Sequence, residues 1–202
     1  MPTTLRSIGW TLLTALAAAP LAAQRQGPPP TSGNSGLWLG GGAGLGWARV
    51  ACRICDANRG HSLSAYGHAG FALSSRLVLG GEVELWRQNA RPDQNRPATE
   101  WMMGYSAVLF WYPSPRHPYY LKGGFGLVTY RIHDATDNLT SAALGPQLGA
   151  GWEFPIASHI AIVPYANFLF ASTGAEVKFN SQQVLDHASL ELFQFGVGLS
   201  RR

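Results

Sequence analysis

From Trp101 to Tyr130 the chain reads WMMGYSAVLFWYPSPRHPYYLKGGFGLVTY. Aromatic and aliphatic residues crowd one parity, while Gly, Ser and Lys recur on the other. Side chains of a strand alternate between two faces, so a period of two marks β-structure with two unlike sides. The same alternation returns along the chain, in segments Leu37 to Trp47, Leu63 to Leu73, Leu77 to Leu85, Trp101 to Trp111, Tyr119 to Tyr130, Leu144 to Glu153, Ile160 to Phe170 and Phe193 to Leu199. No helical period appears after Leu37. The pattern predicts an all-β chain of eight strands.

The connections alternate in length. Ser74-Ser75, Pro113 to Pro118 and Pro155 to Ser158 are short, whereas Arg49 to Gly60, Asn89 to Ala98, Ile132 to Leu139 and Thr173 to Asp186 are long and polar. In an antiparallel meander that places every tight turn at one end and every long loop at the other. Eight antiparallel strands reach closure as an up-and-down barrel, which leaves no unpaired edge.

Which face meets solvent decides the class. One face carries Leu, Ile, Phe and Trp. The other carries mostly Gly, with Glu82, Glu84, Lys122, Gln147, Glu153, Asn167 and Gln194. An eight-stranded barrel has room inside only for side chains, which suits the small and polar set, with Lys122 paired to glutamates. The greasy set then points outward, over far more area than the few hundred Å² that a protein in water tolerates. In lipid it is at home, because a closed barrel also pairs every backbone group. Trp47, Trp101, Tyr130 and Phe170 near the long-loop end, and Phe71, Trp111, Tyr119, Trp152 and Phe154 near the turns, predict two aromatic girdles. The competing expectation is a secreted soluble barrel or sandwich, with the apolar face inside and the glutamates in water. Pro146 and Pro164 fall inside outward-facing strand positions, where each removes a ladder donor.

Residues 1–23 read as an export signal, with Arg6, an apolar core from Ile8 to Ala19 and small residues up to a cut after Ala23; an uncleaved anchor is the alternative. Residues 24–36 form a Pro/Gly/Ser linker, and residues 37–202 the barrel. Hydrophobic residues make up 46% and charged ones 13%, which argues against disorder, and the mean hydropathy of -0.01 excludes a bundle of membrane helices. The formal charge of +4 is spread thinly and forms no basic stripe for nucleic acid. No cofactor is expected.

The signal, the linker, the eight amphipathic strands and the segments WYPSPRHPYYLKGGFGLVTY and GAGWEFPIASHIAIVPYANFLF are similar to bacterial outer-membrane β-barrels of the OmpA, OmpX and OmpW type. The resemblance implies a Gram-negative outer membrane. It also implies long loops outside, turns in the periplasm, and lipids including lipopolysaccharide as surroundings. The expected role is structural or adhesive, through an extracellular ligand at the loops. A narrow pore or carrier for small, perhaps hydrophobic, molecules is the alternative.

Three local features add expectations. Cys52 and Cys55, exported into an oxidising compartment, predict a local disulfide; a redox motif lacks its βαβ context, and a metal site has only His61 nearby. His187, Ser189 and Glu191 share one face, and His-Ala-Ser resembles the H-x-S pair of lipid A deacylase barrels. Leu190 replaces the Asn of that pattern, so the expectation is a polar rim and not an enzyme. Arg49, Arg53, Arg59, Arg87, Arg91, Arg96 and Arg131 cluster at the long-loop end, where guanidinium groups suit lipid phosphates. The sequon Asn138-Leu139-Thr140 is read as chance.

Overall fold

The computed structural model describes residues 37–52, 60–93, 96–114, 117–133, 138–180, 182–185 and 187–201. The expected signal, the linker and Cys55 lie outside these residues, as do Arg53 and Arg59. The strands are β1 (Leu37–Cys52), β2 (Gly60–Ala72), β3 (Leu77–Asp93), β4 (Arg96–Trp111), β5 (Tyr119–His133) and β6 (Asn138–Trp152). They continue with β7 (Phe154–Ala157), β8 (Ile160–Ala171), β9 (Thr173–Phe179), β10 (Gln182–Leu185) and β11 (Ala188–Arg201). β1 to β6 pair in order, β6 pairs with β8, β8 with β11, and β11 returns to β1, so an eight-stranded antiparallel ring closes. β7 continues the line of β6, β9 that of β8, and β10 leads into β11.

The two faces settle which side is inside. Leu79, Leu109 and Ile162 are 38%, 40% and 37% exposed, while Glu82 and Lys122 are 3% and 4% exposed. A soluble barrel or sandwich requires the reverse. Large apolar side chains run around the outside on every wall of the ring, including Leu63, Phe125, Leu148 and Val197. Such an exterior is stable only against hydrocarbon. On β4, Trp111 and Trp101 are ten residues apart, about 33 Å along the strand and about 25 Å along the barrel axis at the usual tilt, the height of a membrane barrel's apolar band.

Three expectations are corrected. First, two of the long-loop segments are mostly strand: β3 runs to Asp93 and β4 begins at Arg96, and β9 and β10 occupy most of Thr173 to Asp186. β3 alone spans 17 residues, about 40 Å along the axis, and so outruns the apolar band by about 15 Å. Alternation with outward polar residues hid these extensions, because a strand beyond the bilayer has no greasy face. Second, Tyr130 is not in the outer girdle. It is 7% exposed and points into the barrel, since its parity on β5 is that of Tyr120, Lys122 and Val128. Third, the interior is not chiefly glycine. Trp38, Trp86, Met102, Phe110, Tyr120, Leu169 and Leu190 are all buried in it.

Both prolines fall where the ladder is interrupted. Pro146 lies where the partner of β6 changes from β9 to β8, across a bulge at Ala142/Leu144 beside Ser172. Pro164 lies on β8 opposite the break between β6 and β7, where the Glu153 amide donates instead to the Pro118 carbonyl at 2.7 Å. A residue without an N–H costs least where its partner strand is already interrupted.

Candidate functional site

The barrel interior is layered. At the tight-turn end Trp38, Val78, Val108, Phe110, Tyr112, Tyr120 and Val163 form one apolar cluster. At the other end Trp86, Met102, Val128, Tyr130, Leu169, Leu190 and Leu192 belong to a second. The charged side chains sit between them. This order follows from the strands' inward parity: along β3 it reads Val78, Gly80, Glu82, Glu84, Trp86, an apolar–polar–apolar sequence written into one strand.

Glu82 is the centre of the middle layer. Lys122 donates to its Oε1, as does the Gln147 amide, and His68 Nδ1 lies 3.5 Å from its Oε2. Gln147 also donates to Glu84 Oε1 at 2.9 Å, so one amide ties the two glutamates together. Lys122 Nζ sits 5.4 Å from the ring centre of Tyr66 and 5.8 Å from that of Phe110, within reach of both π faces. Asn167 and Gln194 are directly opposite each other on β8 and β11, both buried, and the Gln194 amide donates to the Leu85 carbonyl at 3.3 Å. Glu153 lies nearer the tight turns, where the Tyr112 hydroxyl donates to its Oε1 at 3.1 Å. The structure thus brings Glu82, Glu84, Lys122 and Gln147 into one hydrogen-bonded group and leaves Glu153 in another layer.

The polar layer is capped by rings. The Trp38 indole stacks on the His68 imidazole with centroids 4.0 Å apart and planes 13° apart, and Phe110 meets Trp38 edge-on at 4.3 Å. Phe110, Tyr120 and Tyr112 continue the contact at 5.4 and 5.8 Å. At the far end the Trp86 indole donates to the Gly46 carbonyl at 3.1 Å, which fixes its ring across the interior. Glycine supplies the space: a Cβ on Gly46 would come within 2.8 Å of Trp86, and one on Gly151 within 2.4 Å of the Tyr120 hydroxyl. Sequence reasoning overlooked His68, Trp38 and Phe110 as site residues. The signal available was parity, since each shares its face with a glycine, lysine or glutamate of the inward set.

Outside the wall, Ser189 and Glu191 share the outward face of the last strand, and exposed His187 just precedes it. Glu191, however, is directly opposite Arg49 and pairs with it at 3.6 Å, and Ser189 is opposite Ala51. The carboxylate that a Ser–His pair needs as its orienting acid is engaged by an arginine on the neighbouring strand. Cys52 ends β1, and its expected partner Cys55 lies outside the described residues. Among the described residues no cluster of three or more His, Cys, Asp or Glu side chains could hold a metal ion.

No protein-family model and no curated protein matches the chain. Solved structures do. Ail, the attachment invasion locus protein of Yersinia pestis, determined in complex with the heparin analogue sucrose octasulfate, matches with a TM-score of 0.53 at 11% identity, over 81% of this chain and 98% of that one. Neisserial surface protein A matches with a TM-score of 0.48 at 16% identity, over 82% and 96%. OprG from Pseudomonas aeruginosa matches with a TM-score of 0.45 at 10% identity, over 81% and 94%. At such identities the likeness is one of fold, and the alignment with Ail carries it. Inverted faces, a closed ring of eight strands and that alignment agree: the chain has the fold of the small eight-stranded β-barrels of bacterial outer membranes.

Proposed function

We propose that this chain is a sealed, non-enzymatic barrel of the bacterial outer membrane that works at its surface, as a structural element and as a platform for interaction outside the cell. The observation that carries the reading is the filled interior. Two apolar layers enclose a charged layer, and Phe110, Trp38, Trp86 and Met102 reach across the space that a solute would use. With the lumen occupied, contact with other molecules falls to the strand extensions beyond the apolar band, led by the β3–β4 and β9–β10 hairpins. These extensions are paired strands. The Cys52–Cys55 disulfide belongs to the same proposal, as a covalent tie beginning at the end of β1.

Planar-bilayer recording of the purified barrel tests the sealed lumen: no discrete conductance is expected at high salt. Stepwise currents would overturn it and favour the narrow pore or carrier. Adherence of cells displaying the barrel, with and without the β3–β4 and β9–β10 hairpins cut back to tight turns, tests the surface role. Unchanged adherence would remove it.

A further inference from the structure

On the lipid side of the wall, one row of directly opposed residues crosses five strands: Arg87 on β3, Trp101 on β4, Arg131 on β5, Thr140 on β6 and Lys178 on β9. Neighbouring strands lie about 4.8 Å apart, so successive cations stand about 10 Å apart and the outer two about 19 Å. The row is perpendicular to tilted strands, and each cation is therefore displaced by roughly 6 Å in depth from the last. Arg87 packs over the Trp101 ring at 4.8 Å, at the height of the outer aromatic girdle.

The next row toward the membrane is Leu85, Met103, Thr129, Ala142 and Glu176, and below it come Val83, Tyr105, Leu127 and Leu144. These rows merge with the lipid-facing band. A bulge at Ala142/Leu144 interrupts the pairing of β6 with β9, and Gly174, Glu176 and Lys178 of β9 line one wall of a groove of about 950 Å³. Arg87, Arg131, Lys178 and His133 line the groove, and Glu176 is the one carboxylate among its lining residues, held at 3.3 Å by Lys178. Cations in excess in the groove, with the apolar row Val83, Tyr105, Leu127 and Leu144 further toward the membrane, match a molecule with negative charge at one end and hydrocarbon at the other. Guanidinium groups bind phosphate oxygens bidentately, and basic residues at a membrane surface attract anionic headgroups.

We propose that this groove binds a phosphorylated lipid of the outer leaflet, with phosphates on Arg87, Arg131 and Lys178 and acyl chains leaving the groove at Tyr105 to run along Leu127 and Leu144 beside it. The inference rests on the membrane reading above but not on a sealed lumen. A soluble sulfated glycan would match the charges, but it gives no use to the apolar rows that continue below them.

The test uses the full-length barrel in phosphatidylcholine nanodiscs doped with bis-phosphorylated lipid A, or with the same lipid A after phosphatase treatment. Native mass spectrometry reads the lipid retained. The wild type should prefer the phosphorylated lipid by about tenfold or more. Each removed cation should cost about fivefold, and R87Q/R131Q/K178Q on the order of 100-fold. Arg76→Gln, at the tight-turn end, should retain lipid as the wild type does. Heat-modifiable gel mobility verifies that each variant is folded, and if the triple variant fails to assemble, Arg131→Gln is read in its place. Equal retention of the dephosphorylated lipid, no loss in the variants, or binding of soluble heparin through the same three residues without lipid preference would each overturn the proposal. Loss of lipid preference in a non-conducting, folded barrel leaves the proposed function standing; conductance with intact lipid preference does the opposite.

Discussion

Replacing Lys122 by Met probes the charged layer most directly. Lys122 and Glu82 are 4% and 3% exposed, and the Lys122 ammonium donates to the Glu82 carboxylate. Methionine keeps the stem and removes the charge. Deleting one partner of a buried ion pair typically costs about 3–5 kcal/mol, because the other charge is left in a poorly solvating place. Here the lower end is expected. Gln147 still donates to Glu82, and His68 Nδ1 lies 3.5 Å from its other oxygen. Glu82→Gln in the Lys122→Met background removes the stranded charge, so the double variant should recover about 1–3 kcal/mol of the single variant's loss. Urea unfolding in lipid vesicles, followed by heat-modifiable mobility and tryptophan emission, gives the four stabilities of the cycle. A loss below about 1 kcal/mol for Lys122→Met, or a double variant no better than the sum of its parts, would refute a buried Lys122–Glu82 pair.

The closing seam allows no side chain at Gly44: it is directly opposite Gly196, and a Cβ there would fall 2.0 Å from the Phe195 carbonyl oxygen. Gly44→Val should therefore abolish the heat-modifiable folded band in refolding into detergent, whereas Gly174→Ala, in open space but at φ 71°, should only lower stability by about 1 kcal/mol. Trp38→Ala with Phe110→Ala removes the edge-on ring pair at the tight-turn end; each should cost about 3–5 kcal/mol in urea. If either is neutral, the tight-turn cap is not packed as described. Thiol titration of the unreduced full-length protein should find no free thiol, and reduction should lower stability by about 2 kcal/mol, the loop-closure value for so short a ring. Free thiols before reduction remove the Cys52–Cys55 pair.

Strand number, the order of tight turns and the outward face of Leu79, Leu109 and Ile162 were legible in the sequence because all rest on one signal, the period of two. The same signal carries no information about depth. Nothing in the alternation separates Arg87 or Lys178, above the apolar band, from a loop residue, and so β9 and β10 read as a connection. The interior was misjudged for a related reason. Glycine is conspicuous in GGGAGLG, but the glycines at 40, 42 and 46 make room for large rings arriving from elsewhere, those of His68, Tyr66 and Trp86. Which ring fills which gap depends on contacts across the lumen, between strands far apart in the sequence. Only parity pointed to Trp38 and Phe110, and parity gives a face without a partner.

The charged layer has a consequence for register. A slip of one residue between strands is forbidden outright, since it would turn Glu82 and Lys122 into hydrocarbon, at a cost of about 2–4 kcal/mol for a lysine at mid-membrane, and bring leucines into a full interior. A slip of two keeps every face as it was, so the hydrophobic effect does not oppose it. What does is the cross-lumen matching of β3, β5 and β6: a shift of two carries Glu82 about 6.6 Å along the strand, out of reach of Lys122 and Gln147. Buried ion pairs are weak evidence for net stability, and fixing register is the better-attested use. This role is a hypothesis with a direct test. Leu79 is directly opposite Leu109. With cysteines at 79 and 109, oxidative cross-linking should be efficient in the parent. In the Glu82→Gln/Lys122→Met background, cross-links from 79 to 107 or 111 should appear in the corresponding cysteine pairs. A single native register in that background would show that packing alone aligns the strands, and would leave the four polar side chains without this role.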